Sequence, residues 1–452
     1  EGLDPGEIFL SESQERMVLA VQPEDLPELK ELADVYDTNC EKIGDVTDTG
    51  RLRVFHEDEI TCDLDCDTLH SPPRLNIESR YDYDLEPAGS SPTEENHGDT
   101  LKDLLGDINL CSRHPVIREY DHEVQGNTIV KPLGGPTGSA PADGVVLDVD
   151  ASDRLVSAGL ALLPGYGEFH PRKMGRVTVD EAIRQVVASG ADPDRIGILD
   201  NFSMGDPGIE EKLGELVETA RGMSEAARAF EAPFISGKDS FYNSFETPDG
   251  RTVSVPMTLV VSALGIVEDE DDILGTAVTG TGDTVLAVLG ETRGELLGTA
   301  YGNQIDRDEG SVPDADPSRA LERYQIMYEC LEQGWIQSAH DVSEGGLGVC
   351  LAEMSFGHRA GLDVKLEDLP TDGSLTPAET LFSETGGRIV LEVREDDWTN
   401  VRDQFGDRPI ARIGRTTSEH QSLRIQHEDQ IILDETIEEL NERWASGLEP
   451  HY

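Results

Sequence analysis

Lysine is nearly missing from this chain: 8 of its 452 residues are Lys, and with Arg included the basic residues number 36 against 92 Asp and Glu. A formal net charge of −56 over 452 residues is about one uncompensated negative charge for every eight. It excludes a simple binder of nucleic acid or of an anionic membrane surface, because phosphate would be repelled over most of the protein. No apolar run reaches the length of about 18 residues that a membrane-spanning helix needs, and no signal-peptide pattern opens the chain, so a cytoplasmic protein is expected. Six cysteines are too few for a disulfide framework in so long a chain. Cys62 and Cys66 have the spacing that starts some metal sites, but no second cysteine pair follows, and the structural reading prevails.

Hydrophobic residues, at 37%, fall below the usual soluble average, yet Leu, Ile and Val recur in periodic runs throughout. The chain is therefore acidic but globular, and at about 100 to 200 residues per domain it holds two to four domains. The acidic excess is spread along the whole length and is not gathered in a tail. That distribution is expected of a protein adapted to a salt-rich cytoplasm, where a Debye length of about 3 Å at 1 M salt screens self-repulsion.

One unit occurs twice. Residues 10–22 read LSESQERMVLAVQ and residues 382–394 read FSETGGRIVLEVR. Lys42-Ile43-Gly44 parallels Arg412-Ile413-Gly414, and the run from Leu52 to Asp58 parallels Leu423 to Asp429. About 260 residues of folded sequence precede the later copy, whereas nine precede the earlier one, so a first unit lacking most of its length is expected. Residues 1–70 are assigned to the end of that first unit, 71–128 to an exposed acidic connector, 129–268 to one domain and 269–452 to a second. The second unit mixes strands such as 144–149, 253–267 and 284–289 with helices near 178–189, 208–230, 316–333 and 345–356. This is an α+β pattern.

Several clusters have the residue types of a nucleotide or metal site. Ile235-Ser236-Gly237-Lys238-Asp239-Ser240 follows Pro233 as a turn where backbone could approach a phosphate, with Lys238 as charge. Asp200 ends the strand-like run 195–199, where carboxylates often project into a cleft, although an Asx turn explains it equally. Glu181 and Gln185, four apart on one helix, could share magnesium with Asp143; Thr178-x-x-Glu181 fits a capping box as well. Asp341 precedes Gly345 and Gly346 at a helix start whose N–H groups could hold phosphate, or whose small residues could serve close packing. His340 reads as a satisfied structural histidine. Glu12-Ser13-Gln14 in the first copy corresponds to Glu384-Thr385-Gly386 in the second, a polar difference that suggests one copy binds what the other does not.

Taken in order, LSESQERM, IGDVTDTGRLRV, GYGEFHPRKMGRVTVDEAIRQVVASGADPDRIGILDNFSMGDP, APFISGKDS and AHDVSEGGLGVCLAEM resemble blocks of phosphoribosylformylglycinamidine synthase II, over most of the chain. The resemblance implies a duplicated aminoimidazole ribonucleotide synthetase-like α+β fold, each half an N-terminal α+β domain plus a C-terminal α/β domain. It implies a carbon–nitrogen ligase of purine biosynthesis that amidates formylglycinamide ribonucleotide with ATP, magnesium and glutamine-derived ammonia, beside a glutaminase subunit and a small accessory subunit. By position it makes Glu12, Ser13, Gln14 and Ser240 substrate contacts, Asp200 and Gly237 nucleotide contacts, and Asp143, Glu181 and Asp341 magnesium ligands, with Gln185 standing for an Asn ligand. Lys238 stands where smaller members carry a metal-binding Asn, and a fixed cation there opposes magnesium. The family's catalytic histidines belong ahead of Glu1, so no general base is assigned. Two other readings fit the same residues: another ATP-using enzyme of the superfamily, and a nucleotide-binding scaffold without chemistry.

Overall fold

The computed structural model describes residues 3–12, 14–73, 76–83, 92, 96–119, 124–136, 138–149, 154–280, 282 and 284–449. They form two compact units, 1–77 and 78–452.

The first unit carries helix α1 (Leu26–Val35), the hairpin β1 (Arg51–His56) and β2 (Glu59–Asp65), and helix α2 (Cys66–His70). The hairpin turns on Glu57 and Asp58, at φ 49° and 66°, and its register shifts between Val54 and Phe55. Cys62 and Cys66 lie on β2 and α2, and no metal-ligand cluster includes them among the described residues.

In the second unit, helix α3 (His97–Leu105) lies in the segment expected to be an exposed connector. Its Leu101, Leu104 and Leu105 are buried in the core. The connector expectation is corrected there: the i, i+3, i+4 leucine stripe outweighs the acidic composition around it.

The first sheet contains β3 (Thr128–Val130), β4 (Val145–Asp148), β5 (Leu155–Leu162), β6 (Ile196–Ser203), β7 (Phe234–Ser240) and β8 (Thr258–Val267). Its spatial order is β3-β4-β5-β8-β6-β7, antiparallel except where β7 pairs parallel with β6. Alternation decides its faces: on β8, Leu259, Val261 and Ala263 are buried, whereas Leu264 stays exposed. The buried face lies under α4 (Pro171–Ala188) and α5 (Glu210–Ala229). These helices cross closely at Gly175 and Gly222, where a Cβ would come within 2.4 Å and 2.0 Å of carbonyl oxygens of the facing helix. Helix α4 starts seven residues before Thr178, with His170 as N-cap and Pro171 in the first turn. Thr178 is thus mid-helix, its hydroxyl donating to Met174 O at 2.8 Å, and the capping-box reading is overturned.

The second sheet contains β9 (Thr284–Leu289), β10 (Ile336–Asp341), β11 (Gly361–Lys365), β12 (Ile389–Arg394), β13 (Ile410–Thr417), β14 (Ser422–His427) and β15 (Gln430–Thr436), in the order β10-β12-β9-β13-β11-β14-β15. Both faces are covered. Ala287, Leu289, Ile389 and Leu391 join the core containing α4, α5 and α6 (Pro317–Glu332). Leu286, Val288 and Val390 point the other way, into the core of α3, α7 (Gly346–Phe356) and α8 (Ile437–Ser446). Strands buried on both faces need apolar residues at successive positions, hence Val285-Leu286-Ala287-Val288-Leu289.

The repeat is visible in the backbone of each unit. β14 and β15 turn on Glu428 and Asp429, at φ 47° and 62°, with the register shift between Ile425 and Gln426. These positions match the turn and the shift of the first hairpin residue for residue.

Candidate functional site

Two places in the second unit gather the residues expected to carry chemistry. The first is the outer edge of the first sheet. Segment 234–240, expected to be a turn, is the edge strand β7, because its backbone pairs in parallel with β6: Asp200 opposite Gly237, Asn201 opposite Lys238 and Ser203 opposite Ser240. Phe234 to Asp239 are exposed. Asp200, in mid-strand and not at its end, lies over Gly237, whose added Cβ would stand 2.5 Å from Asp200 Oδ1. Burial, then the charge of Asp239, raises the Asp200 carboxyl above its usual range. Lys238 Nζ donates to Ser240 Oγ at 2.5 Å. Alternation puts this pair on the face opposite Asp200 and Gly237, so the edge brings the four residues together but divides them between two faces.

The second place is a cleft of about 560 Å³ between the loop before β4 and the end of β10, lined by Asp143, Gln185, His340, Asp341 and Glu353. Both oxygens of the Asp143 carboxylate meet β10: Oδ1 is 2.7 Å from His340 Nδ1 and Oδ2 accepts from Asp341 N at 2.9 Å. His340 Nε2 meets Glu353 Oε2 at 3.1 Å. His340 thus stands between two carboxylates, but only Nε2 makes a hydrogen bond; Nδ1, although close to Asp143, has none, so the expected satisfied histidine is only half met. Burial raises Asp143 to about 6, against the pull of His340. Burial also pushes Asp341 upward, but His340 and the Arg184 guanidinium prevail and hold it below the ordinary range.

Of the four expected magnesium ligands, Asp143 and Asp341 come together, with His340 as the third member of the cluster. Gln185 lines the same cleft, and Glu181 shares the Arg184 guanidinium with Asp341, but both have other commitments. Gln185 Oε1 accepts from Leu160 N at 2.7 Å, and Glu181 lies 3.7 Å from Arg184. Oxygens committed to hydrogen bonds and to an internal cation do not make the octahedral oxygen shell magnesium demands. As folded, the set does not fit the ion.

Two N–H groups at the start of α7 are engaged from within. Gly345 N donates to Glu384 Oε1 at 2.7 Å, and Gly346 N donates to Ser343 O at 2.9 Å. Gly346, at φ 68°, sits where a Cβ would meet Ser383 O at 2.6 Å, so close packing is its role here. Glu384 also accepts from Tyr166 OH at 2.6 Å and Ala300 N at 2.9 Å. Burial raises its carboxyl to about 7 in spite of those donors. Sequence reasoning named Glu384 only as the counterpart of Glu12. The signal available was the Glu retained in both copies.

Glu12 and Gln14 are exposed in the first unit, and Ser13 lies outside the described residues. The loop has the same clamp in both copies: Arg16 donates to Ser11 O, and Arg388 donates to Ser383 O at 2.6 Å.

Comparison with known proteins places this architecture. The AIR synthase related protein C-terminal domain matches residues 1–57 and 280–426, and the AIR synthase related protein N-terminal domain matches residues 141–267. The phosphoribosylformylglycinamidine synthase subunit PurL of Thermococcus sibiricus is 31% identical over 446 residues, 98% of this chain and 59% of that protein. The PurL subunit of Methanocaldococcus jannaschii is 32% identical over 457 residues, 99% of this chain and 60% of that protein. A solved structure, T. maritima PurL complexed with FGAR, aligns at a TM-score of 0.58 and 15% identity over 76% of this chain and 52% of that one, a likeness of fold. The chain spans about 60% of the length of the curated relatives it matches.

Proposed function

Since the chain belongs to the phosphoribosylformylglycinamidine synthase II family, we propose that it forms the nucleotide-handling part of a cytoplasmic ligase that amidates formylglycinamide ribonucleotide in purine biosynthesis. The observation that supports this most is 31% and 32% identity sustained over 98% and 99% of the chain. ATP would phosphorylate the amide oxygen, and ammonia would displace phosphate to leave the amidine. The ammonia comes from glutamine on a glutaminase subunit, with a small accessory subunit completing the assembly.

In this reading the edge of the first sheet receives the nucleotide. Beyond β7 no further strand pairs among the described residues, so its outward N–H and C=O groups are available to a ligand. Asp200 and Gly237 contact the nucleotide from one face. Lys238 contributes a fixed positive charge beside Ser240 on the other, where the ribonucleotide approaches. The family resemblance separately assigns substrate contacts to Glu12, Ser13 and Gln14. Magnesium arrives on the ATP phosphates, since the Asp143 and Asp341 cluster does not fit it.

Gly237→Val tests the nucleotide edge, because its side chain drives into Asp200. Calorimetric titration of the chain with ATP and magnesium should show affinity lowered roughly tenfold or more, the equivalent of about 1.4 kcal/mol. Parent-like affinity in a folded Gly237→Val protein places the nucleotide elsewhere.

A further inference from the structure

Inside the acid cluster lies a cation that belongs to the protein. The Arg184 side chain, 1% exposed, projects from α4 among three carboxylates. It pairs with Asp180, stands 3.3 Å from Asp341 Oδ2 and 3.7 Å from Glu181 Oε2, and donates to Val342 O at 3.4 Å. Asp180 is fixed in turn, accepting from Tyr324 OH and from Gly387 N, both at 2.8 Å. Asp341 Oδ2 accepts no hydrogen bond, and the guanidinium is the cation it faces. On the far side of Asp341, His340 spans Asp143 and Glu353.

A divalent ion would need the oxygens that Arg184 already neutralises, and it would have to sit against a guanidinium that neither loses its proton nor reaches water. We propose that Arg184 is the resident counter-ion of this cluster: it takes the place of a divalent cation, and the carboxylates of Asp180, Glu181 and Asp341 join α4 to β10 without metal. The arginine is the specificity determinant, excluding magnesium from a pocket whose composition invites it.

Manganese is the probe. Binding to the whole chain is followed by the paramagnetic resonance of unbound Mn²⁺, in 1 M KCl to screen the surface carboxylates. The parent and Asp341→Asn should bind equal numbers of tightly held ions. Arg184→Met should bind one more, and the double variant Arg184→Met/Asp341→Asn should lose it again. A tight ion lost in Asp341→Asn overturns the proposal, as does a folded Arg184→Met protein that gains none. If the variants do not fold, crystals of the parent soaked in Mn²⁺ decide the matter. An anomalous manganese peak coordinated by Asp341 refutes the proposal, and peaks confined to surface carboxylates support it.

Discussion

Glu384 shows how one residue type takes two roles in a duplicated loop. The arginine clamp on the preceding serine carbonyl is common to both copies, but Glu12 is exposed whereas Glu384 is 2% exposed and spends its carboxylate on Tyr166, Ala300 and Gly345. An internal carboxylate at the α7 N-terminus satisfies the helix dipole that a phosphate would otherwise meet. The cost is a carboxyl raised by burial to about 7. Glu344 nearby is raised further, to about 8, by burial and then by Glu384. A raised acid keeps its proton in the native state after the unfolded chain has lost it. Its contribution is therefore whole below the unfolded value of 4.5 and declines as pH rises to the folded value. Melting temperature at fixed salt should fall between pH 5 and pH 8. Glu384→Gln, which has no proton to retain, should flatten that fall by roughly 3 kcal/mol in stability, at about 1.4 kcal/mol for each pH unit separating the unfolded from the folded value. Parallel pH profiles for parent and variant would show that Glu384 ionises normally.

Among the elements, α3 and the two hairpins carry opposite lessons. The duplication of the hairpins was legible because the runs 52–58 and 423–429 repeat each other, whereas the two-residue turn and the bulge inside each run came from the structure. Helix α3 was hidden because residues 71–128 were weighed by composition, in which Pro, Gly, Ser and acids dominate. Its leucines nonetheless recur at helical spacing, and Leu104 is 2% exposed in the core with Leu440 and Trp444. Leu104→Ala should therefore cost about 2–5 kcal/mol, the range for emptying a buried leucine site. Urea denaturation gives the measurement, and a loss below about 0.5 kcal/mol would mean that α3 is not part of the cooperative core.

At the scale of the molecule, charge and core oppose each other. The second unit stacks its first sheet, the layer of α4, α5 and α6, its second sheet and the layer of α3, α7 and α8 around two hydrophobic cores. That interior is ordinary, while a net charge of −56 is not. Repulsion among surface carboxylates weakens as the Debye length shortens from about 10 Å at 0.1 M to about 3 Å at 1 M. Melting temperature in a KCl series should rise with salt and go on rising beyond 1 M. A curve that is flat or falling from 0.1 M upward would remove the case for adaptation to salt.

The amino-acid order by itself determined the α+β class, the duplication and the main helices and strands of the second unit. Each of these rests on local periodicity or on self-similarity, which one dimension records. It also named Asp143 and Asp341 as neighbours in chemistry, through resemblance. Only the tertiary structure decided what those carboxylates meet, because the hydrogen bond joining them spans 198 positions of the chain. It spent Gln185 on the Leu160 amide, turned Glu384 into the cap of α7, and set Arg184 against Asp341 across the junction of α4 and β10. Which cation sits beside a buried acid depends on the packing of separate elements, and no spacing along the chain encodes it.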